Sequence, residues 1–75
     1  MKHLILKTNN YYKDREIFLR CIKLTDKAAL FVLYLNIKGH TIIVEEQITC
    51  PIEMSSDLIG SLAEKVCVEA RRVGL

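Results

Sequence analysis

The middle of this sequence is apolar at both odd and even positions, and this feature restricts its fold more than any other. Residues 16–24 are apolar at both parities, and residues 28–37 form the most apolar stretch of the chain. Strands with this pattern are covered on both faces of a sheet. The sequence therefore predicts two long central strands with apolar side chains on each face.

Shorter segments on either side complete a four-stranded sheet. Residues 2–8 read as a strand, 9–14 as a polar loop, and 41–48 as a β-branched strand. Residues 25–27 are a candidate turn. The pair at 38–39, Lys-Gly, fits a two-residue hairpin loop, because glycine tolerates a positive φ.

Residues 25–37 have an alternative interpretation as a helix. Thr25 or Asp26 would cap it and Gly39 would end it. Short apolar runs have no decisive period. The strand is preferred here, because the flanking segments need a hairpin partner.

An amphipathic helix is predicted near the C-terminus. Ser55 is a good N-cap, and Asp57 favours the positive end of a helix. Arg71 and Arg72 complement the other end, and Gly74 stops it. At 100° per residue, the apolar side chains fall within an arc of about 140°. They are Leu58, Ile59, Leu62, Ala63, Val66, Ala70 and Val73.

These elements predict one α+β domain over residues 1–75. It is a four-stranded antiparallel β-meander with one C-terminal helix packed on one face, in the order ββββα. Extending the two hairpins places one apolar set under the helix: Phe18, Ile22, Leu24, Phe31, Leu33, Leu35, Ile42, Val44 and Ile48. Arg20 is the misfit on this face and has to reach the rim.

The second face of the sheet also collects apolar residues, although the free face of a monomer should be polar. An exposed apolar area of this kind marks an interface. The sequence therefore predicts a homodimer through this face, or the docking of another protein. A shift of one residue in register, or a helix at 25–37, would remove the patch. The predicted interface residues are Ile17, Leu19, Cys21, Leu30, Val32, Tyr34 and Ile43.

Charges are expected to separate toward the two ends of the meander. The 9–15 loop, the turn at 38–39 and the end of the helix meet at one pole. The predicted basic pole contains Lys7, Tyr11, Tyr12, Lys13, Arg15, Lys38, His40, Arg71 and Arg72. Basic and aromatic groups suit phosphates and splayed bases, so this pole predicts contact with nucleic acid or an acidic protein. The alternative is solvated loop charge, with the tyrosines folded back onto the sheet.

Composition excludes several classes of protein. The 75 residues are 51% apolar, with 11 Lys+Arg against 9 Asp+Glu and a net charge of +2. Disordered tails are less apolar, and polybasic arms are far more positive. No apolar run approaches the roughly 18 residues of a membrane span, and no secretory signal is predicted. Membrane contact is therefore not expected.

The cysteines indicate a cytoplasmic protein. Cys21, Cys50 and Cys67 are odd in number and widely spaced, unlike a disulfide framework. A metal site of Cys50 and Cys67 with His40 or His3 is the alternative, but zinc ligands come in close pairs, which these residues do not form. No metal or other cofactor is expected. A chain this short has little stability to spare, which favours burial in an oligomer.

No catalytic motif is present. The sequence has no glycine-rich phosphate loop, no paired histidines on a helix and no nucleophile elbow. Glu45 and Glu46 alternate faces in a strand, so Glu45 should rim the second face and Glu46 needs an edge position or a lysine partner. We expect a small non-enzymatic regulator or inhibitor that acts by protein binding, of the kind that phages and mobile elements encode.

Overall fold

Four strands and one helix make up the computed structural model, which describes residues 5–50 and 53–75. The elements are β1 (Ile5–Tyr12), β2 (Arg15–Leu24), β3 (Ala28–Ile37), β4 (His40–Thr49) and α1 (Ser56–Arg72). The strands form one antiparallel sheet in chain order. The predicted ββββα meander is confirmed. The alternative helix over 25–37 is wrong, because β3 pairs with β4 along its whole length.

Two tight turns close the hairpins at one end of the sheet. Lys13 and Asp14 connect β1 to β2 with φ values of 47° and 64°, and Lys38 and Gly39 connect β3 to β4 with φ values of 51° and 75°. Positive φ at both central residues matches the turn to the right-handed twist of the strands. The predicted hairpin at 38–39 and its register are confirmed.

β1 continues through residues that resemble a loop, because an irregularity accommodates them. The pairing of β1 with β2 is interrupted after Lys7, and Asn9 has a φ of 61°. The Thr8 hydroxyl supplies a bond at the break by donating to the carbonyl oxygen of Ile17 at 2.8 Å. The start of the predicted strand, residues 2–4, lies outside the described residues.

A bulge at Ile22 changes the register of β2. Leu24 lies opposite Ala29, as the predicted turn requires, but the pairing shifts between Cys21 and Lys23. Side chains alternate between the faces of a strand. The extra residue therefore places the side chains of residues 15–21 on the face opposite to the one that a regular ladder from the turn would give them.

The bulge corrects the predicted faces of β2. Ile17, Leu19 and Cys21 were expected at the interface, but they lie on the helix-covered face opposite Leu35, Leu33 and Phe31. Ile17 and Leu19 are fully buried. Phe18 and Arg20 were expected under the helix, but they lie on the opposite face. This arrangement removes the misfit of a charged Arg20 in the core.

The core lies between α1 and the sheet. Its buried residues are Tyr12, Ile17, Leu19, Ala29, Phe31, Leu33, Leu35, Ile37, Ile42, Leu62, Ala63, Val66, Cys67 and Ala70. The predicted stripe on α1 is largely confirmed, except that Val73 is exposed and Cys67 is buried. Lys65 of α1 donates to Glu46 Oε1 of β4 at 2.8 Å, which is the lysine partner that Glu46 was expected to need.

The predicted ends of α1 are confirmed. The Ser55 hydroxyl accepts a hydrogen bond from the Leu58 N–H at 3.1 Å and so caps the first turn. At the other end, Gly74 has a φ of 85°, and the Leu75 N–H donates to the Ala70 carbonyl at 2.9 Å. These bonds satisfy backbone groups that the helix itself leaves unpaired. They also bring Leu75 against the core.

Candidate functional site

The face of the sheet that points away from α1 is called the open face here. Neither a helix nor another strand covers it within residues 5–50 and 53–75. Its side chains come from all four strands. They are Ile5, Lys7, Tyr11, Glu16, Phe18, Arg20, Lys23, Leu30, Val32, Tyr34, Asn36, Thr41, Ile43, Glu45 and Gln47.

An apolar row crosses the middle of the open face. Phe18, Tyr34 and Ile43 lie opposite one another on β2, β3 and β4. The rings of Phe18 and Tyr34 stack, with centroids 5.3 Å apart and planes inclined by 21°. Ile43 is 59% exposed. Leu30 and Val32 extend the apolar surface along β3.

A charged row lies beside the apolar row. Arg20 on β2 and Glu45 on β4 flank Val32 on β3. The Nε of Arg20 is buried and has no hydrogen-bond partner. All nine carboxylate side chains of the sequence lie within the described residues, and none forms a salt bridge with Arg20. The exposed Glu45 likewise forms no salt bridge within the described chain.

Polar groups lie toward the turn end of the open face. Lys7 Nζ lies 3.9 Å from Glu16 Oε2, and the Thr41 hydroxyl donates to Asn36 Oδ1 at 2.7 Å. Tyr11 is exposed beside them. An apolar centre with a polar rim is the usual anatomy of a protein interface.

The structure places four of the seven residues predicted at the interface on the open face and the other three on the helix-covered face. Leu30, Val32, Tyr34 and Ile43 lie together on the open face, as expected. The three β2 residues of the prediction, at positions 17, 19 and 21, are replaced by those at 18 and 20. The misfit of Arg20 was the available sign that the parity of β2 had to change.

The expected meeting of the turns and the helix end is also observed. The Nζ of Lys13 donates to the backbone oxygen of Leu75 at 2.7 Å and lies 5.6 Å from the centroid of the Tyr12 ring. A shallow depression at this end is lined by Lys13, Asp14, Arg15, Ile37 and Lys38. His40 lines the neighbouring depression with Arg15 and Lys38. From here on, the basic pole means only Lys13, Arg15, Lys38 and His40, a subset of the nine residues predicted there.

The other predicted members of this pole are engaged elsewhere. Tyr12 is buried in the core, so its ring is not available for stacking on a base. Lys7 lies within β1 on the open face. Arg71 donates to Glu64 at 2.7 Å, and Arg72 forms a bidentate pair with Glu69.

The two arginines of α1 are therefore largely neutralised by its own carboxylates. The Arg72 guanidinium holds the pKa of the Glu69 carboxyl below its ordinary value, chiefly through the hydrogen bond between them. The same hydrogen bond raises the pKa of Arg72. Of the aromatic side chains predicted at this pole, Tyr11 alone is exposed, at 59%.

Within residues 5–50 and 53–75, the three cysteines and His40 do not assemble into a site. Cys21 and Cys50 are half-buried, Cys67 is buried, and all three are free thiols. Burial raises the pKa of the Cys67 thiol, with a further contribution from the nearby Glu64 charge. In the described ranges, no group of three or more His, Cys, Asp and Glu side chains is arranged to hold a metal ion. His3, which the alternative metal site would use, lies outside those ranges.

Comparison of the chain with protein-family models, with curated proteins and with solved structures gave no match. In the part of the chain that the structure describes, no helix has both the length and the apolar character needed to cross a membrane. The open face and the basic pole are therefore the two surfaces on which a functional argument rests.

Proposed function

We propose that this chain is a small non-enzymatic regulatory or inhibitory protein of the cytoplasm. It acts by protein–protein binding and forms a homodimer through the open face. The observation that carries this proposal is the apolar row of Phe18, Tyr34 and Ile43, which no other described element covers. When a matching apolar surface covers this row, water is excluded from it, and this lowers the free energy of the complex.

The size of the open face suits a modest but specific interface. β1 contains eight residues, and β2, β3 and β4 each contain ten. At about 3.3 Å per residue and about 4.8 Å between strands, the flat area of the four-stranded sheet is on the order of 600 Å². This value is of the same order as the roughly 800 Å² that each partner contributes to a standard interface.

Burial within the open face supports the same conclusion. Val32 is only 6% exposed although it lies on this face, so its neighbours already pack around it. Phe18 and Tyr34 are held together by their stack. A surface that is ordered before binding loses less side-chain entropy on association than a mobile one.

The test compares one open-face variant with a matched control. Ile43→Glu places a charge on the exposed part of the open face. Val68→Glu makes the same change at an exposed valine of α1, which is 52% exposed. Sedimentation equilibrium should find a dimer for the wild type and for Val68→Glu, and a monomer for Ile43→Glu. Circular dichroism should find all three folded.

Two results would reject a homodimer through the open face. One is a wild-type protein that stays monomeric at the highest concentration reached. The other is an Ile43→Glu variant that associates as tightly as the wild type. A dimer that Val68→Glu breaks and Ile43→Glu does not would move the interface to α1.

A second candidate function is nucleic-acid binding by the basic pole. The observation that favours it is the closeness of Lys13, Arg15 and Lys38 around one depression. Arg15 and Lys38 form no salt bridge in the described residues, whereas Lys13 donates to the backbone oxygen of Leu75. Phosphate groups bind such clusters of cations, with an affinity that falls steeply as salt rises.

Titration of a fluorescent oligonucleotide at several salt concentrations tests this candidate. Arg15→Glu and Lys38→Glu should each weaken binding and reduce its salt dependence. Lys27→Glu is the matched control, because Lys27 is exposed in the turn between β2 and β3 at the opposite end of the sheet. Absence of binding at low salt, or equal losses in all three variants, would exclude the basic pole as a nucleic-acid site.

A further inference from the structure

We infer that two copies pack open face to open face about a two-fold axis parallel to β3, so that Arg20 of each copy pairs with the partner's Glu45. This inference rests on the homodimer proposed above and specifies its arrangement. It follows from the positions of charged and apolar residues on the open face.

The open face is complementary to itself across β3. Arg20 and Glu45 lie on the same row, one strand to either side of Val32. A rotation of 180° about an axis parallel to β3 carries β2 of one copy over β4 of the other. Each row of residues paired across the strands keeps its position along the strand direction, so it faces the same row of the partner. The partner's Glu45 then faces Arg20. This is the reciprocal contact that a two-fold interface requires.

The apolar row obeys the same symmetry. Phe18 and Ile43 flank Tyr34 on β2 and β4. The rotation therefore sets Phe18 over the partner's Ile43, and Tyr34 meets its own copy near the axis. Aligned packing of this kind is common between sheets, whose mean strand directions stay within about 30° of each other.

Arg20 is half-buried, and its Nε is buried without a hydrogen-bond acceptor in the described chain. A donor buried without an acceptor is costly, and a carboxylate that accepts hydrogen bonds from the guanidinium would offset this cost. Packed sheets lie about 10 Å apart, a gap that an arginine and a glutamate side chain span together.

An axis perpendicular to the strands satisfies fewer charges. Placed at the row of Arg20, it would set the two Arg20 side chains against each other. Placed one row nearer the turn end, at Tyr34, it would set Arg20 against the partner's Glu16. Glu16 already lies 3.9 Å from Lys7, and Glu45 would then face no cation. The parallel axis is favoured because it pairs both unpartnered charges at once.

The direction of the axis also determines where the basic poles lie. Rotation about an axis parallel to the strands keeps both copies pointing the same way. The two sets of Lys13, Arg15 and Lys38 then lie at the same end of the dimer. A perpendicular axis would send them to opposite ends. The dimer inferred here therefore has both sets of cations at one end.

Charge exchange tests the arrangement. Arg20→Glu and Glu45→Arg each replace two attractive contacts by repulsive ones, and each should weaken self-association at least tenfold in sedimentation equilibrium. The double variant Arg20→Glu/Glu45→Arg should recover most of the wild-type affinity. An equimolar mixture of the two single variants should form a heterodimer, because both of its contacts are again between opposite charges. Glu53→Arg, at an exposed position before α1, is the control and should leave association unchanged.

The outcomes separate this inference from the proposal beneath it. If the wild type is monomeric, the homodimer itself fails. If Ile43→Glu breaks the dimer but neither the double variant nor the mixture restores it, the parallel axis fails and the homodimer stands. If self-association is restored by Arg20→Glu/Glu16→Arg and not by Arg20→Glu/Glu45→Arg, the axis is the perpendicular one. Glu45→Arg lies at an exposed position, so its effect can be measured even if Arg20→Glu impairs folding.

Discussion

Phe18 stacks on Tyr34 across the pairing of β2 with β3, on the face of the sheet that α1 does not cover. The residue after Phe18 is Leu19, which is 2% exposed and lies in the core. Two adjacent large apolar residues therefore have different environments. Their difference follows from the register of β2, and stability measurements can test it.

Alanine substitutions at these two positions should have unequal effects. Leu19→Ala removes a fully buried side chain and should lower the free energy of unfolding by about 2–5 kcal/mol. Phe18→Ala removes a half-buried ring whose stacking contributes about 1 kcal/mol, so its loss should be smaller. Urea unfolding, at a concentration where both variants are monomeric, measures the difference. A larger loss for Phe18→Ala would contradict the observed register.

Deletion of Ile22 should prevent folding. Without the extra residue, a regular ladder from the β2–β3 turn would place Phe18 and Arg20 under α1 and expose Leu19. Ile22→Ala keeps the number of residues and should retain the fold with a modest loss of stability. Circular dichroism and amide chemical-shift dispersion distinguish the two. A deletion variant with native dispersion and native stability would show that the bulge does not determine the faces of β2.

The two glycines of the C-terminal region should respond in opposite directions to alanine. Gly60 lies inside α1, and a Cβ there would meet nothing within 4 Å. Gly60→Ala should stabilise the protein by about 0.5–1 kcal/mol. Gly74 has a φ of 85°, so Gly74→Ala should destabilise it by about 1–2 kcal/mol. Thermal unfolding checks both, and equal shifts of the same sign would contradict the assigned helix end.

Cys67 should be the slowest cysteine to react with iodoacetamide. Burial raises the pKa of its thiol, so less of it is the reactive thiolate at neutral pH. Cys21 and Cys50 are half-buried and should be modified first. Peptide mass spectrometry after timed labelling measures the order. Labelling of Cys67 as fast as Cys21 in the folded protein would be inconsistent with its position under α1.

The same raised pKa has a consequence for stability. The folded state prefers the protonated thiol of Cys67 more strongly than the unfolded state does. This preference stabilises the fold fully below the thiol's ordinary pKa and is lost as the pH rises through the raised one. The free energy of unfolding, measured with urea, should therefore fall more steeply from neutral to alkaline pH in the wild type than in Cys67→Ala. Parallel pH profiles would show that ionisation of Cys67 makes no contribution.

Local features of the sequence were sufficient to predict the elements of this fold. Ser55 and Gly74 mark the two ends of α1, through hydrogen bonds between residues that are close in the sequence. Lys38 and Gly39 form a hairpin because their backbone conformations suit one. These signals are short in range, so no knowledge of the rest of the chain was needed. The end of β1 was missed because Thr8 and Asn9 form an irregular strand with residues typical of a loop.

The composition of the open face was decided by tertiary structure. β2 is apolar at both parities, so its sequence alone does not say which side faces the helix. The choice depends on the whole sheet, because one register buries Arg20 beneath α1 and the other buries Ile17 and Leu19. A single extra residue at Ile22 switches between the two registers. The sequence by itself determined that apolar side chains lie on both faces of the sheet, and the packing of α1 on the sheet decided which residues each face contains.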